Sequence, residues 1–243
     1  MLIKYIRQMT VDEILKELKT FGSEQTKNTF LKHGAKEPFF GVKVADLKKI
    51  LKKTKKNHEL SLELFNTGNS DAMYLAGLMA DETKITEAQL NEWAEQAYWY
   101  YLSEYAVAWV AAETNFGFEL GLKWIQSDKE QIASAGWATL ANYASVKQDR
   151  DLNIAKFSQL LDSVAEHIHD SENRVRYTMN GFVIAVATYV VELTDKAIEI
   201  ANKIGKVSVD MNGTACKVPL ATEYINKSIE KGRAGKKRKT ARC

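Results

Sequence analysis

The stretch SENRVRYTMNGFVIAVATY, residues 171–189, decides the fold class because its pattern occurs twice more in the chain. Residues 127–143 (SDKEQIASAGWATLANY) and 70–80 (SDAMYLAGLMA) also open with serine and an acidic residue and carry a glycine among small or apolar residues. A serine beside an acidic residue is typical of a helix N-terminus. A mid-helix glycine weakens a helix, so we expect each one to permit close packing against a neighbouring helix. The three glycines are Gly77, Gly136 and Gly181.

Helical signals continue along most of the chain. Its only two prolines, Pro38 and Pro219, are separated by 180 residues, and a fold of many short strands would need more turn residues. Thr10–Glu13 and Thr86–Gln89 fit capping boxes at helix starts. Repeated helix pairs of about 40 residues predict an all-α, HEAT-like α-helical solenoid, with an irregular α-bundle as the alternative. The predicted helices include 43–56, 58–66, 70–81, 86–102, 104–114, 117–126, 128–145, 151–168, 172–191, 194–204 and 220–231.

The chain divides into a long helical part and a short basic end. We predict one HEAT-like solenoid domain over residues 1–230 and a flexible basic C-terminal tail over 231–243. Residues 207–218 do not fit a helix. Their Asn212-Gly213 pair could turn a short hairpin, and an ordered loop is the alternative.

Positive charge is concentrated in two segments. Residues 43–56 carry seven lysines and one aspartate, and residues 231–243 carry seven lysines and arginines and no acidic residue. The whole chain has a net charge of +3, so the remainder is acidic. Such clustering indicates a polyanion partner. We predict that the tail contacts DNA, and the alternatives are a solubility tail or contact with an acidic surface.

Several classes of function lack their sequence signals. The chain has no nucleotide-binding loop or nucleophile elbow, and its four histidines have no metal-ligand spacing, so we predict no metal and no cofactor. Two cysteines, Cys216 and Cys243, give no disulfide framework and favour a reducing, cytoplasmic location. The first residues contain no apolar core of secretory length, and the longest apolar run is too short to span a membrane. We therefore expect neither export nor a membrane partner.

An aromatic segment lies in the middle of the chain. Residues 93–109 hold seven aromatic side chains, which cannot all face one core on a helix, so we expect some to line a groove. Ordinary packing between helices is the alternative. Tyr100 with Glu104, and Trp109 with Glu113, place a ring and a carboxylate four residues apart. A ring face beside a carboxylate suits a cation.

Two arginines stand near the start of the helix predicted over 172–191. Arg174 and Arg176 are in position to contact phosphates at one end of a repeat. The alternative for Arg176 is a surface ion pair with Glu172, which lies four residues before it.

The stretch FFGVKVADLKKILKK, residues 39–53, resembles the N-terminal segment of the bacterial DNA alkylation repair family of the AlkD type. The helical repeats, the stretch DMNGTACKVP at 210–219 and the basic tail fit the same family. The resemblance implies a HEAT-like solenoid whose concave, basic face holds duplex DNA. Active members of the family are glycosylases that release cationic N3- or N7-alkylated purines without placing the base in a pocket. We expect a monomer that needs no metal or organic cofactor.

The resemblance also implies a site, in which an aspartate follows a tryptophan by four residues on one helix. Trp99 matches the ring, but Ser103 stands four residues after it. The candidate catalytic carboxylates are therefore Glu104 and Glu113, either or neither. The family's arginine in the next repeat is absent here, and Phe182 corresponds to a second aromatic of the groove. The residues predicted to contact DNA are Trp99, Tyr100, Trp109, Arg174, Arg176, Phe182, Lys236, Lys237, Arg238 and Lys239.

The sequence thus predicts a duplex-DNA-binding protein of the DNA alkylation repair family and leaves the excision of alkylated purines open. The alternative is a non-catalytic HEAT-like scaffold that binds protein partners along its groove. The acidic remainder of the chain favours the second hypothesis, whereas the two basic segments favour the first.

Overall fold

The computed structural model describes residues 9–243 and confirms the all-α fold. Residues 1–8, in which the sequence shows no secretory core, lie outside the described residues. Residues 9–243 contain no strand and no helix that is both long and apolar enough to cross a membrane. The helices are α1 (Val11–Phe21), α2 (Glu24–Lys32), α3 (Val44–Thr54), α4 (His58–Phe65), α5 (Ser70–Met79), α6 (Glu87–Gln96), a π-helix (Tyr101–Val107), α7 (Ala108–Glu113), α8 (Gly117–Trp124), α9 (Glu130–Val146), α10 (Ile154–His167), α11 (Asn173–Tyr189), α12 (Thr194–Ile204) and α13 (Ala221–Glu230).

Five helix pairs stack from α4 to α13. In each pair an outer helix is followed by an inner one, and the outer helices are α4, α6, α8, α10 and α12. The inner layer consists of α5, the π-helix with α7, α9, α11 and α13, and each of these packs on the next. This is the arrangement of a HEAT-like solenoid. The three repeated stretches of the sequence form α5, α9 and α11, so all three copies of the repeat are helices of the inner layer.

The predicted capping boxes begin α1 and α6. A different polar group holds the residues before α3. The carboxylate of Asp71, at the start of α5, accepts backbone N–H bonds from Phe40, Gly41 and Val42 at 2.6, 3.1 and 3.0 Å. Gly41 has a φ of +77°, and a Cβ there would lie 2.6 Å from the backbone nitrogen of Lys27. The first part of the 39–53 stretch is therefore fixed by backbone geometry and one buried carboxylate.

Two of the three repeat glycines permit close packing, as the sequence predicts. A Cβ on Gly77 would lie 2.7 Å from the Cβ of Ala106, and one on Gly136 would lie 2.7 Å from the backbone nitrogen of Ile125. The prediction is wrong for Gly181, where a Cβ would meet no atom of the described residues within 4 Å. Gly181 faces open space on the inner layer.

The helix predicted over 86–102 is interrupted. α6 ends at Gln96, Ala97 has a ψ of 85°, and the chain resumes as the π-helix before continuing into α7. A π-helix has a wider turn than an α-helix, so it changes the direction of the side chains that follow. Periodicity alone therefore could not place Glu104 and Glu113.

Residues 205–219 form an ordered loop, the alternative to a hairpin. Asn212 and Gly213 both have positive φ, 54° and 67°, and so turn the chain without strands on either side. Asn173 and Asp210 exchange two hydrogen bonds, of 2.9 and 2.6 Å, between a side chain and the backbone. The loop thus lies against the N-terminal end of α11.

Candidate nucleic-acid interface

Glu104 and Arg174 form a buried ion pair in the inner layer. Arg174 donates from Nε and Nη2 to the two carboxylate oxygens of Glu104, at 2.8 and 2.5 Å. The Glu104 side chain is 3% exposed and that of Arg174 is 15% exposed. Glu104 lies on the π-helix and Arg174 in the first turn of α11, so the pair joins two inner elements and occupies both oxygens of the carboxylate.

Two tyrosine rings enclose the guanidinium of Arg174. Its carbon lies 4.1 Å from the ring centre of Tyr100 and 4.3 Å from that of Tyr177. Burial raises the pKa of Tyr100 to about 12. Burial also raises the pKa of the Glu104 carboxyl, and the hydrogen bonds from Arg174 oppose that rise. The cation that suits this ring and carboxylate is therefore supplied by the chain itself.

Residues 235–243 lie across the C-terminal ends of the inner helices. The backbone N–H of Gly235 donates to the carbonyl oxygen of Thr188 in α11, and that of Arg238 donates to Ser145 in α9, both at 2.8 Å. These carbonyls belong to helix ends, which lack partners within their own helices. The tail therefore completes hydrogen bonding that the solenoid leaves open.

Cationic side chains strengthen this docking. Lys237 donates from Nζ to the carbonyl oxygen of Ala144 at 2.8 Å and lies 2.7 Å from Asp149. Arg242 donates to the carbonyl oxygen of Ala80, after α5, at 2.7 Å. Positive charge is favourable at the carbonyl end of a helix. The structure therefore has a docked segment where the sequence predicted a flexible tail.

Glu113, the second candidate carboxylate, holds the end of the tail. It accepts hydrogen bonds from the hydroxyl of Thr240 and, at 2.7 Å, from the backbone N–H of Ala241. The Nε of Arg242 lies 3.1 Å from its other oxygen. Glu104 and Glu113 thus face different partners and do not form one site.

Three aromatic side chains predicted to contact DNA belong to the core. Trp99, Trp109 and Phe182 are 5%, 6% and 0% exposed. The indole N–H of Trp99 donates to the hydroxyl of Ser70 at 2.9 Å. Packing between inner helices, the alternative considered from the sequence, accounts for these rings, and they offer no face to a nucleic acid.

The cations predicted to contact DNA differ in availability. Lys236 and Lys239 are exposed, and neither forms an ion pair among residues 9–243. Lys237 and Arg174 are committed to carboxylates. Arg176 forms no ion pair with Glu172 within the described chain, and its Nε is buried without a hydrogen-bond partner. In the segment 43–56, Lys49, Lys53 and Lys56 are paired with acidic residues.

Comparisons with known proteins agree with this architecture. A family model described as DNA alkylation repair enzyme matches residues 14–224. The chain belongs to the DNA alkylation repair family. Two curated relatives are each 34% identical to this chain over 226 residues, which cover 90% of this chain and 97% of the relative. They are the uncharacterized proteins Lin0241 of Listeria innocua and Lmo0209 of Listeria monocytogenes.

A solved structure supports the same fold for this member of the DNA alkylation repair family. The match has a TM-score of 0.89 and 39% sequence identity, and it covers 97% of this chain and 100% of the other. That protein represents a new family related to the HEAT-like repeat DNA glycosylases, with affinity for branched DNA structures. The HEAT-like solenoid fold is thereby confirmed.

Only part of the arrangement around Glu104 could be predicted from the sequence of this DNA alkylation repair protein. The ring and carboxylate four residues apart indicated a cation, but Arg174 lies 70 residues further along the chain. Arg174 was predicted to contact phosphate instead. The path of the tail was not predicted because its partners are backbone carbonyls, which carry no sequence signal, and carboxylates far away along the chain, such as that of Glu113.

Proposed function

We propose that this protein binds DNA, with branched DNA preferred over linear duplex, and that it does not excise bases. The related protein of known structure has affinity for branched DNA structures and matches this chain over nearly its whole length. The observation that carries the proposal is the docked tail, which holds exposed cations, unpaired within residues 9–243, at fixed positions beside the inner layer.

Four tail cations are exposed to solvent and can contact phosphates there. Lys231, Arg233, Lys236 and Lys239 are exposed and form no ion pair with the described residues. The neighbouring tail cations Lys237 and Arg242 are used for docking. A docked tail presents the free cations in one arrangement, so less conformational freedom is lost when phosphates bind than with a disordered tail.

Base excision would need a carboxylate close to the sugar, where positive charge develops in the transition state. Both oxygens of Glu104 are bound by Arg174 in a buried site, and Glu113 is bound by Thr240, Ala241 and Arg242. Neither carboxylate is free to stabilise such a charge or to activate water. This geometry favours binding without hydrolysis.

The salt dependence of DNA binding tests the role of the tail. We expect the Lys236→Gln/Lys239→Gln variant to bind a four-way junction more weakly than the wild type. Each phosphate contact contributes about −0.9 to the slope of log K against log salt concentration, so the slope of the double variant should be shallower than that of the wild type by up to about 1.8. The matched control is Lys49→Gln/Lys53→Gln, which removes the same charge from two lysines already paired with acidic residues. Equal effects in both variants would contradict a specific role for the tail.

Release of free base tests the other half of the proposal. Duplex DNA carrying 7-methylguanine or 3-methyladenine should lose no base in the presence of the wild type beyond the rate without protein. Base release that the wild type catalyses and the Glu104→Gln or Glu113→Gln variant abolishes would identify an enzyme and overturn the proposal.

A further inference from the structure

A cleft of about 220 Å³ opens between the π-helix, α9 and α11, beside the docked tail. Its wall includes Gly181, in the middle of α11, where a Cβ would meet no atom of residues 9–243 within 4 Å. Glycine within a helix costs roughly 0.5–1 kcal/mol relative to alanine, and packing does not require it here. The glycine therefore keeps space open on the inner layer, where a ligand can approach the helix backbone.

Three tyrosines line the same cleft: Tyr105, Tyr177 and Tyr189. Two of them are held in place by their neighbours. The ring of Tyr105 packs edge-on against Trp109, with 5.4 Å between the centroids, and that of Tyr177 lies against the guanidinium of Arg174. Fixed aromatic side chains of this kind stack with the faces of nucleic-acid bases.

Arg238 supplies positive charge to the cleft. Its backbone N–H bonds to Ser145 at 2.8 Å and its Nη2 bonds to the carbonyl oxygen of Ala241 at 3.1 Å. It has no carboxylate partner in the part of the chain that the structure describes, whereas the adjacent Lys237 has one. Glu104 also lines the cleft, but its charge is balanced by Arg174. The charge that remains at this site suits a phosphate group.

We propose that the cleft binds one unpaired nucleotide of branched DNA, with its base above Gly181 among the tyrosine rings and its phosphate at Arg238. The volume is below the roughly 300–1,000 Å³ of sites for drug-sized ligands, and so suits a single base. At a branch point a base can already be unpaired, which avoids the cost of extracting it from a duplex. The inference rests on the proposed preference for branched DNA. It adds that the unpaired nucleotide is the feature of the branch that the protein recognises.

Two forked DNAs test this assignment, one with a single unpaired adenine at the branch and one with an abasic residue in its place. We expect the wild type to bind the adenine fork about 5- to 150-fold more tightly, the range that corresponds to stacking of one base. Gly181→Leu fills the cleft and should bind both forks alike. The matched control, Gln25→Leu, adds the same side chain at an exposed position of α2 and should keep the preference.

The Gly181→Ala variant provides a second test in case the Gly181→Leu variant does not fold. It should melt no lower than the wild type, because its Cβ overlaps no atom in the part of the chain that the structure describes, and yet show a reduced preference for the adenine fork. If the wild type binds both forks equally but still prefers branched to linear DNA, the cleft assignment is overturned and the proposed function stands. If it binds no branched DNA, both are overturned. Competition by free deoxyadenosine monophosphate at the concentration of the fork would show a site for free nucleotides and also overturn the assignment.

Discussion

Arg174 shows how one side chain changes the chemistry that a carboxylate can perform. It contacts Glu104 through two hydrogen bonds and lies between the rings of Tyr100 and Tyr177. A buried carboxylate next to aromatic faces would otherwise attract a cationic ligand. Here the guanidinium occupies that position, and the site becomes a structural link between the π-helix and α11.

Removal of Arg174 should therefore be costly. Arg174→Ala leaves the carboxylate of Glu104 buried without its partner, and we expect the free energy of unfolding to fall by about 3–5 kcal/mol. Replacing both residues, as in Glu104→Met/Arg174→Met, should recover most of this loss because no charge remains buried. Urea unfolding of the variants measures both effects. A loss below about 0.5 kcal/mol for Arg174→Ala would contradict the role of the pair.

The repeat glycines give a second test at single residues. Gly77→Ala and Gly136→Ala should each lower the free energy of unfolding by about 1–3 kcal/mol, because the new methyl group would overlap the neighbouring helix or its connection. Thermal unfolding provides the comparison. If both variants were stabilised, as helix propensity alone would predict, the close approach of α5 and α9 to their neighbours would be contradicted.

At this scale the sequence predicted some residues well and others poorly. Gly77 and Gly136 were identified because a mid-helix glycine has a local cost that packing must offset. Trp99, Trp109 and Phe182 were misplaced because aromatic side chains serve both cores and grooves, and only burial distinguishes the two.

The tail is the element whose structure differs most from expectation. It has few apolar residues, so no hydrophobic pattern predicts its docking. Its partners are the carbonyl ends of inner helices, together with Glu113, Glu82 and Asp149. The position of these groups depends on the stacking of the whole solenoid. The helices themselves were predictable from periodicity and capping, except where the π-helix replaces part of a predicted α-helix.

Arg242 is the main contact at the end of the tail. Arg242→Ala removes contacts with Ala80, Glu82 and Glu113, and we expect a loss of about 1.5–3 kcal/mol in the free energy of unfolding. Trypsin should also cleave the tail faster. Lys239→Ala, which removes an exposed and unpaired lysine, should change stability by less than about 0.5 kcal/mol. Equal cleavage rates in the Arg242→Ala variant and the wild type would contradict the docking.

The whole molecule should respond to alkaline pH through its buried tyrosines. Burial raises the pKa of Tyr100 to about 12 and raises the pKa values of Tyr101, Tyr105 and Tyr177 as well. Folding therefore favours the neutral phenols, and this stabilisation is complete below the unfolded pKa of about 10 and is lost as pH rises through the folded values. Urea midpoints and tyrosinate absorbance should show stability falling from about pH 10 towards 12. Full ionisation near pH 10 without a loss of stability would contradict the burial.

Over the whole molecule, the cationic side chains divide into those that stabilise the fold and those that remain available for binding. Both basic segments contain lysines that are paired with acidic residues and lysines that have no such partner among residues 9–243. The sequence predicted the basic segments and the family, because composition and motif are local. It could not predict which cations remain free, since their partners come from distant parts of the chain.

The most direct test of the central claim is fluorescence anisotropy with a labelled four-way junction and a linear duplex of the same length and composition, at several salt concentrations. The proposed function predicts tighter binding of the junction at every salt concentration, and weakening of both complexes as salt rises. Equal affinity for the two DNAs, binding that salt does not change, or no binding of either DNA would contradict it, and the last result would favour a scaffold for protein partners.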